Sequence, residues 1–393
     1  MTEQIIHFEA YTFSPTSHEH RLTLPLLAFP LSQLLPIPDS VPPHSTLARS
    51  VALQLVLALA HIHSAGVAHR DLKPDNVMLD WEGCIKLIDF ATAWSDTWGN
   101  EGSEGSEDDM VCAVGTGTYR APETLFSPRR YDAQAVDLWA AGCVFAEMFG
   151  QARSPREDED KDEDEDEDEH ELEHGDGDEK WDESDNETDS DLYNLGSCRH
   201  EPPNNQHEGP SRSTTLFDST FGDLGLAASI FRIRGSPTAE TWPVRIDPSS
   251  SRPLVHLPFL CGVLKHVPQD FKDLPDANKI QFTPFPTVSL SLLIPSAPPL
   301  AVDLIEKLLA LSPARRLVAR ESLDHPFFLG GAVLMPTRLT AWYGTGTTRH
   351  ELEKERIVRE ADGMTMVQRL QPWLDAARAR YDRLRDRQPD QSD

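Results

Sequence analysis

Residues 69–76 read His-Arg-Asp-Leu-Lys-Pro-Asp-Asn, and no other segment restricts the fold of this chain as much. Pro74 forbids a continuing helix, so the segment is a loop that presents an acid, a cation and an amide close together. What flanks it is regular. Residues 47–65, LARSVALQLVLALAHIHSA, predict a helix with Ser45 and Thr46 as cap candidates and Gly66 as its left-handed stop. Asn76–Leu79 and Cys84–Ile88 predict two short strands joined by the turn Asp80-Trp81-Glu82-Gly83. Asp89-Phe90-Ala91 then closes the second strand, thirteen residues after Asn76, and Ala121-Pro122-Glu123 follows. One such octapeptide could be a chance turn after a core helix. Three motifs in this order and spacing argue against that.

Together the three segments resemble the protein kinase family, whose motifs run H-R-D-x-x-x-x-N, D-F-G and A-P-E in this order. The resemblance implies a role for each residue. Asp71 would accept the proton of a substrate hydroxyl, and Lys73 would set its ammonium beside the transferring phosphoryl group. Asn76 and Asp89 would hold Mg²⁺ through oxygen ligands, as a hard cation requires. Thr116 matches the threonine that bridges the catalytic aspartate and lysine. His69, Arg70, Phe90 and Ala91 would be structural or regulatory. Lysine two residues after the aspartate is similar to serine/threonine rather than tyrosine kinases. The stretch from Tyr131 to Gly150 looks like the family's central buried helix, with Asp137 bracing the catalytic loop. Arg316 matches the arginine that pairs with the motif glutamate, here Glu123. Ile230–Pro243 and Tyr119-Arg120 resemble the cyclin-dependent kinase branch. GTGTYRAPETLF, the acidic segment after the central helix and the short N-terminus look like fungal monomeric kinases that activate cyclin-dependent kinases.

The expected fold is therefore α+β: the two-lobed kinase fold with a mostly helical C-lobe and a truncated N-lobe sheet. Residues 1–45 would be the remnant of the N-lobe and hinge, with strands in IIHFEAYTF and RLTLPLLAF. Residues 46–150 and 214–330 would form the C-lobe, interrupted by an acidic insertion at 151–213. Residues 331–393 would be a C-terminal extension, helical over 350–387. Further helices are expected near 223–233, 300–311 and 318–324. The cofactors implied are ATP and Mg²⁺. The partner implied is a protein substrate, with the activation loop of a cyclin-dependent kinase as one candidate, and the chain itself is expected to be a monomer.

The chain also departs from the family. No G-x-G-x-x-G precedes His69, and the first lysine is Lys73, so the N-lobe lysine has no counterpart. Residues 1–35 can supply only the last two strands of that lobe and a hinge near Leu27–Leu31, where the backbone of Leu27, Ala28 and Phe29 would meet adenine. Two explanations stand: a piece of a longer active kinase, or a catalytically silent kinase-fold binding protein. Ala91 replaces the motif glycine, and alanine reaches positive φ only at about 1–2 kcal/mol; a restricted flip of Phe90 is expected. The activation segment, Asp89–Glu123, has no Ser, Thr or Tyr over Glu107–Gly115. Glu107, Asp108 and Asp109 are either a solvated loop or a standing substitute for a phosphate facing Arg70.

Charge sharpens this division. Of a formal net charge of −29, residues 157–191 hold 23 acids and two lysines, and 101–109 add five acids. The remaining chain is almost neutral, so a disordered polyanion is excluded and a general basic nucleic-acid face is not expected. The acidic insertion is a tolerated loop or a recruiter of a basic partner, the arginines Arg378, Arg380, Arg383, Arg385 and Arg387 of the tail included. Its His170-Glu171-Leu172-Glu173-His174 copies the zinc-protease motif but has nothing apolar to pack against, so no catalytic metal is expected there. Gly344-Thr345-Gly346-Thr347 reads as a loop, and Trp81, Trp139, Trp242 and Trp373 as packing residues. Five scattered cysteines (Cys84, Cys112, Cys143, Cys198, Cys261) without Cys-x-x-Cys point to reduced thiols in the nucleus or cytoplasm. No signal peptide and no membrane span are expected.

Overall fold

Helix α1 (His44–Ser64) is apolar on nearly every side, and such a helix must be buried on all sides. In the computed structural model Leu47, Val51, Leu55 and Leu59 are almost wholly inaccessible, and so are Ala48, Ala52 and Val56 around the cylinder. The structure describes residues 3–37, 44–95, 110–150, 215–238, 240–242, 271, 274–279, 284–336, 338–339 and 357–385. By length and composition Ser45–Ser64 could cross a membrane, but 78% of its most apolar window lies inside the protein. Burial in the core accounts for its composition. Gly66 ends it at φ +74° with its amide on the carbonyl of His63, as expected.

The second buried axis is α2 (Ala133–Glu147), in which every residue except Gln134 is buried. Asp132 caps it by accepting the amide of Ala135. The helical part is completed by α3 (Gly222–Arg234), α4 (Leu290–Leu293), α5 (Pro299–Leu308), α6 (Ala319–Ser322) and α7 (Pro326–Leu329). The three helices expected near 223–233, 300–311 and 318–324 are thus present, the last two shorter than the pattern implied.

Among the described residues, small sheets of two or three strands position the loops. β1 (Ala10–Ser14) and β2 (Glu19–Thr23) form an antiparallel hairpin, Ala10 opposite Thr23. The expected first strand began too early: the amide of Ile6 and the carbonyl of Gln4 instead bond Leu87. β3 (Phe29–Pro30), β4 (Val67–Ala68), β5 (Val77–Leu79), β6 (Ile85–Leu87) and β7 (Trp94–Ser95) follow. β3, β5 and β6 make one antiparallel sheet in that order, and β4 pairs with β7. The loop 69–76 therefore leaves β4 and enters β5, while Asp89–Ala93 leaves β6 and enters β7. Two loops anchored in the same two sheets are held side by side.

Beyond α7, β8 (Val333–Leu334) pairs in parallel with β9 (Ile357–Val358), and β10 (Glu360–Ala361) pairs antiparallel with β11 (Met364–Thr365). The expected helix 350–387 begins only at α8 (Met366–Arg385), because residues 357–365 are spent on these strands. The insertion 151–213, with its His170–His174 motif, lies outside the described residues. So do Glu107–Asp109, Gly344–Thr347, Arg387, Cys198 and Cys261. Among the described residues no cluster of three His, Cys, Asp or Glu could hold a metal. Cys84, Cys112 and Cys143 are free thiols, and burial pushes Cys84 up to about 12, so it is inert at neutral pH.

Candidate active site

Loop 69–76 is shaped by one buried carboxylate. Asp137 of α2, with no accessible surface, accepts the amides of His69 (2.8 Å) and Arg70 (2.7 Å) and the Nε2–H of His63 (2.8 Å). Three donors satisfy a charge that would otherwise be costly to bury. They also hold Arg70 at φ +65°, a conformation that a non-glycine residue keeps only when its surroundings enforce it. His69 donates from Nε2 to the carbonyl of Ile88 (2.8 Å), and its Nδ1 accepts the amide of Asp71 (3.3 Å). That histidine therefore couples the two loops. Its ring packs on Phe90 with centroids 4.8 Å apart.

With the loop so held, four side chains converge. Thr116 donates its hydroxyl to Asp71 Oδ1 (2.6 Å) and accepts from Lys73 Nζ (2.8 Å). Lys73 lies 3.1 Å from Asp71 Oδ2. Asn76 Nδ2 donates to the carbonyl (2.8 Å) and to Oδ2 (3.2 Å) of Asp71. All four catalytic candidates thus meet at one carboxylate, which can accept a hydroxyl proton in a site already organised around it. Ser32 donates to Asp75 (2.6 Å), tying the segment after β3 to the same loop.

The metal candidates pass a simple donor test. Both nitrogen–hydrogen groups of Asn76 face Asp71, which leaves its Oδ1 available, and Asp89 is exposed at the end of β6. Two oxygen donors on neighbouring loops suit a magnesium ion that keeps waters and phosphate oxygens as its other ligands. Asp89 itself carries the positive φ, +60°, whereas Ala91 is not among the residues with positive φ. The strain expected at Ala91 is therefore absent: the left-handed turn sits two residues earlier, where aspartate tolerates it.

The three adenine candidates separate. Phe29 is buried in the core and paired with Leu79, and the amide of Ala28 is spent on the carbonyl of Leu79 (2.8 Å). Leu27 is half-buried, and no bond to its amide is found among the described residues. Of the three, Leu27 keeps the free backbone that an adenine would need.

Farther out, Arg316 places all five donors: on both oxygens of Glu123 (2.6 Å each) and on the carbonyls of Ala135, Ala310 and Leu311. Its guanidinium stands over Trp139 at 5.0 Å. This fixes the end of the activation segment to the core.

Three residues were not legible as parts of the site. Tyr131 accepts from Arg70 (3.0 Å) and donates to the carbonyl of Val111 (2.7 Å). Arg70 also donates from Nε to the carbonyl of Thr92 (2.6 Å). His63 is the second. Glu147 is the third: burial, with the charge of Asp75 in the same direction, pushes its carboxyl up to about 8 while the Tyr119 hydroxyl opposes the rise. Its Oε1 is buried without a hydrogen-bond partner. The only signal in the sequence was an acid at the end of a largely apolar helix.

Comparison with known proteins agrees with this geometry. The protein kinase domain profile matches residues 31–328. Cyclin-dependent kinase 20 of Danio rerio is 26% identical over 280 residues, covering 71% of this chain and 54% of that protein. The mitogen-activated protein kinase spk1 of Schizosaccharomyces pombe is 30% identical over 274 residues, covering 70% and 49%. The chain spans about half the length of the curated relatives it matches. In fold it is similar to a chain of the CAK complex from Chaetomium thermophilum bound to ATP-gamma-S, with TM-score 0.52, 22% identity, and 83% and 72% of the two chains covered. It is also similar to a chain of the yeast RNA polymerase II CTD kinase CTDK-1 complex, with TM-score 0.54, 19% identity, and 86% and 79% covered.

Proposed function

The chain belongs to the protein kinase family, with a fold and relatives of the cyclin-dependent kinase type, and we propose that it transfers the γ-phosphoryl group of ATP to a serine or threonine of a protein. The observation that carries this is the convergence of Lys73, Asn76 and Thr116 on Asp71. Asp71 would take the proton of the attacking hydroxyl. Lys73 would neutralise charge on the moving phosphoryl group, and Thr116 holds both in register. Asn76 and Asp89 would hold Mg²⁺, which screens the phosphate charge when bound. The adenine would meet the backbone at Leu27.

For the substrate, we propose the activation loop of another kinase of the cyclin-dependent type, in the nucleus or cytoplasm. The fold likeness to a chain of the CAK complex and the wording of GTGTYRAPETLF support this choice. Partner proteins are part of the reading, since both solved neighbours are chains of complexes.

A second reading, a silent binding protein of kinase fold, is favoured by one fact: no lysine occurs before Lys73, so the residues given bring no N-lobe lysine to the phosphates. The test is phosphate transfer from labelled ATP to a cyclin-dependent kinase and to a generic serine/threonine peptide. Asp71→Asn should reduce the rate by about 10²- to 10⁴-fold with melting unchanged. A rate insensitive to Asp71→Asn sinks the enzymatic reading. Transfer to the peptide but not to the kinase sinks only the choice of substrate.

A further inference from the structure

Helix α8 lies wholly beyond residues 31–328, the span matched by the kinase family, yet it grips the hinge. Its buried stripe is Met366, Leu370 and Leu374, spaced i, i+4 and i+8 on one face. Met366 and Leu370 press on the turn between β5 and β6 so closely that a Cβ on Gly83 would lie 2.8 Å from Met366 Cγ and 3.1 Å from Leu370 Cδ1. Two indole N–H groups then reach the hinge backbone. Trp373 of α8 donates to the carbonyl of Gln33 (3.0 Å), and Trp81 of the turn donates to the carbonyl of Leu26 (3.2 Å). The guanidinium of Arg378, five residues past Trp373, covers the ring of Trp81 at 5.7 Å. The two carbonyls flank residues 27–32, the stretch that holds Leu27, whose backbone would meet adenine.

We propose that α8 is a positioning element for the nucleotide: it clamps the hinge at both ends through Trp373 and through Arg378 stacked on Trp81. Between these two points the segment is held by Phe29 in the core and by Ser32 on Asp75, and the clamp adds a fixed point at each end. β3 has only two residues, and on the far side of Leu26 the chain runs into a hairpin whose faces are open. A backbone that must hold adenine by hydrogen bonds gains affinity when its angles are set beforehand. The clamp thus makes nucleotide affinity depend on the C-terminal extension. This rests on the reading of Leu27 as the adenine contact, and the experiment separates the two.

In the full chain, amide hydrogen exchange over residues 24–34 reports on the hinge, and calorimetric titration with Mg-ADP reports on the nucleotide. Trp373→Phe keeps the packing and removes the donor. It should raise exchange at 24–34 by about three- to tenfold, the range of one lost hydrogen bond, and weaken Mg-ADP by a similar factor. Exchange in α2 should not change. Arg378→Ala should act in the same direction and Arg378→Lys, which keeps the cation, should largely restore the parent. Unchanged exchange at 24–34 in Trp373→Phe overturns the clamp, and so does an equal rise in α2, which would mean general loosening. A parent that binds no Mg-ADP overturns the adenine reading and the nucleotide role with it, while the exchange data still decide whether α8 holds the hinge.

Discussion

The core around Asp137 and Arg316 and the hairpin β1–β2 are held in contrasting ways. In the first, two charged side chains are buried and nearly every polar atom has a partner: three donors on Asp137, five acceptors around Arg316. In the second, Tyr11, Phe13 and Leu22 are each about half exposed or more, and ladder bonds are the main support. The difference shows where shape is enforced. The loops that would carry the chemistry are over-determined by the helical core, whereas the strands ahead of the hinge are isolated from it. An isolated two-stranded hairpin is marginal in water.

The largest effect should come from breaking a buried pair. Arg316→Met leaves the Glu123 carboxylate buried without its cation and should cost about 3–5 kcal/mol in denaturant unfolding. The double variant Arg316→Met with Glu123→Gln should recover part of that loss, since the uncompensated charge is then gone. A single variant within 1 kcal/mol of the parent would show that water reaches this pair and that the core is looser than its hydrogen bonds suggest.

Next comes Glu147, in the same dry interior but without full satisfaction. Its folded value of about 8 lies above that of an unfolded glutamate, so between roughly pH 4.5 and 8 the native state binds the extra proton. Its contribution to stability is complete below about pH 4.5 and is lost as pH rises through 8. Glu147→Gln mimics the protonated form and should remove this slope, gaining about 2–3 kcal/mol over the parent at pH 8.5 and little at pH 5. Parallel melting curves against pH for the two proteins would refute it.

Tyr131→Phe should have a smaller effect, about 1 kcal/mol, because the two groups it releases, Arg70 and the carbonyl of Val111, border solvent. The local consequence is larger than the global one. Amides 110–114 should exchange faster while those of α2 stay protected, and equal protection would mean that Tyr131 does not anchor the activation segment.

How much of this was legible in the sequence follows the same contrast. His69–Asn76 could be read because its residue types are dictated by chemistry and lie within eight positions. Asp137, Glu123 and Arg316 could be placed through the family motifs, and so could the Glu123–Arg316 pair and the brace of Asp137 on the catalytic loop. That His63 would meet Asp137, 74 positions away, depends on how α1 and α2 pack, and no local pattern encodes it. The spent amide of Ala28 depends on pairing with Leu79, 51 positions away, so the sequence could not tell Leu27, Ala28 and Phe29 apart by what their backbones are free to bind. The strain assigned to Ala91 was misplaced because φ is set by the turn as a whole, and here Asp89 takes the left-handed position. The hairpin was legible as strands but not in its bounds: residues 4–6 bond Leu87, a contact that alternation of apolar residues does not reveal.

The smallest effect is expected in the hairpin. Phe13, 46% exposed, touches mainly the rings of His18 and His20 within the same hairpin. Phe13→Ser therefore removes little buried apolar area and should change unfolding free energy by no more than about 0.5 kcal/mol, as for a surface site. Solubility should rise, because an apolar hairpin with free edges invites strand pairing between molecules. The same substitution also tests the contrast from the other side. If Phe13→Ser or Leu22→Ser costs 2 kcal/mol or more at concentrations where the protein is monomeric, the hairpin is packed against further residues in solution, and the divide between an enforced core and an unsupported hairpin is wrong. If the cost appears only as concentration is raised, the cover is a second molecule.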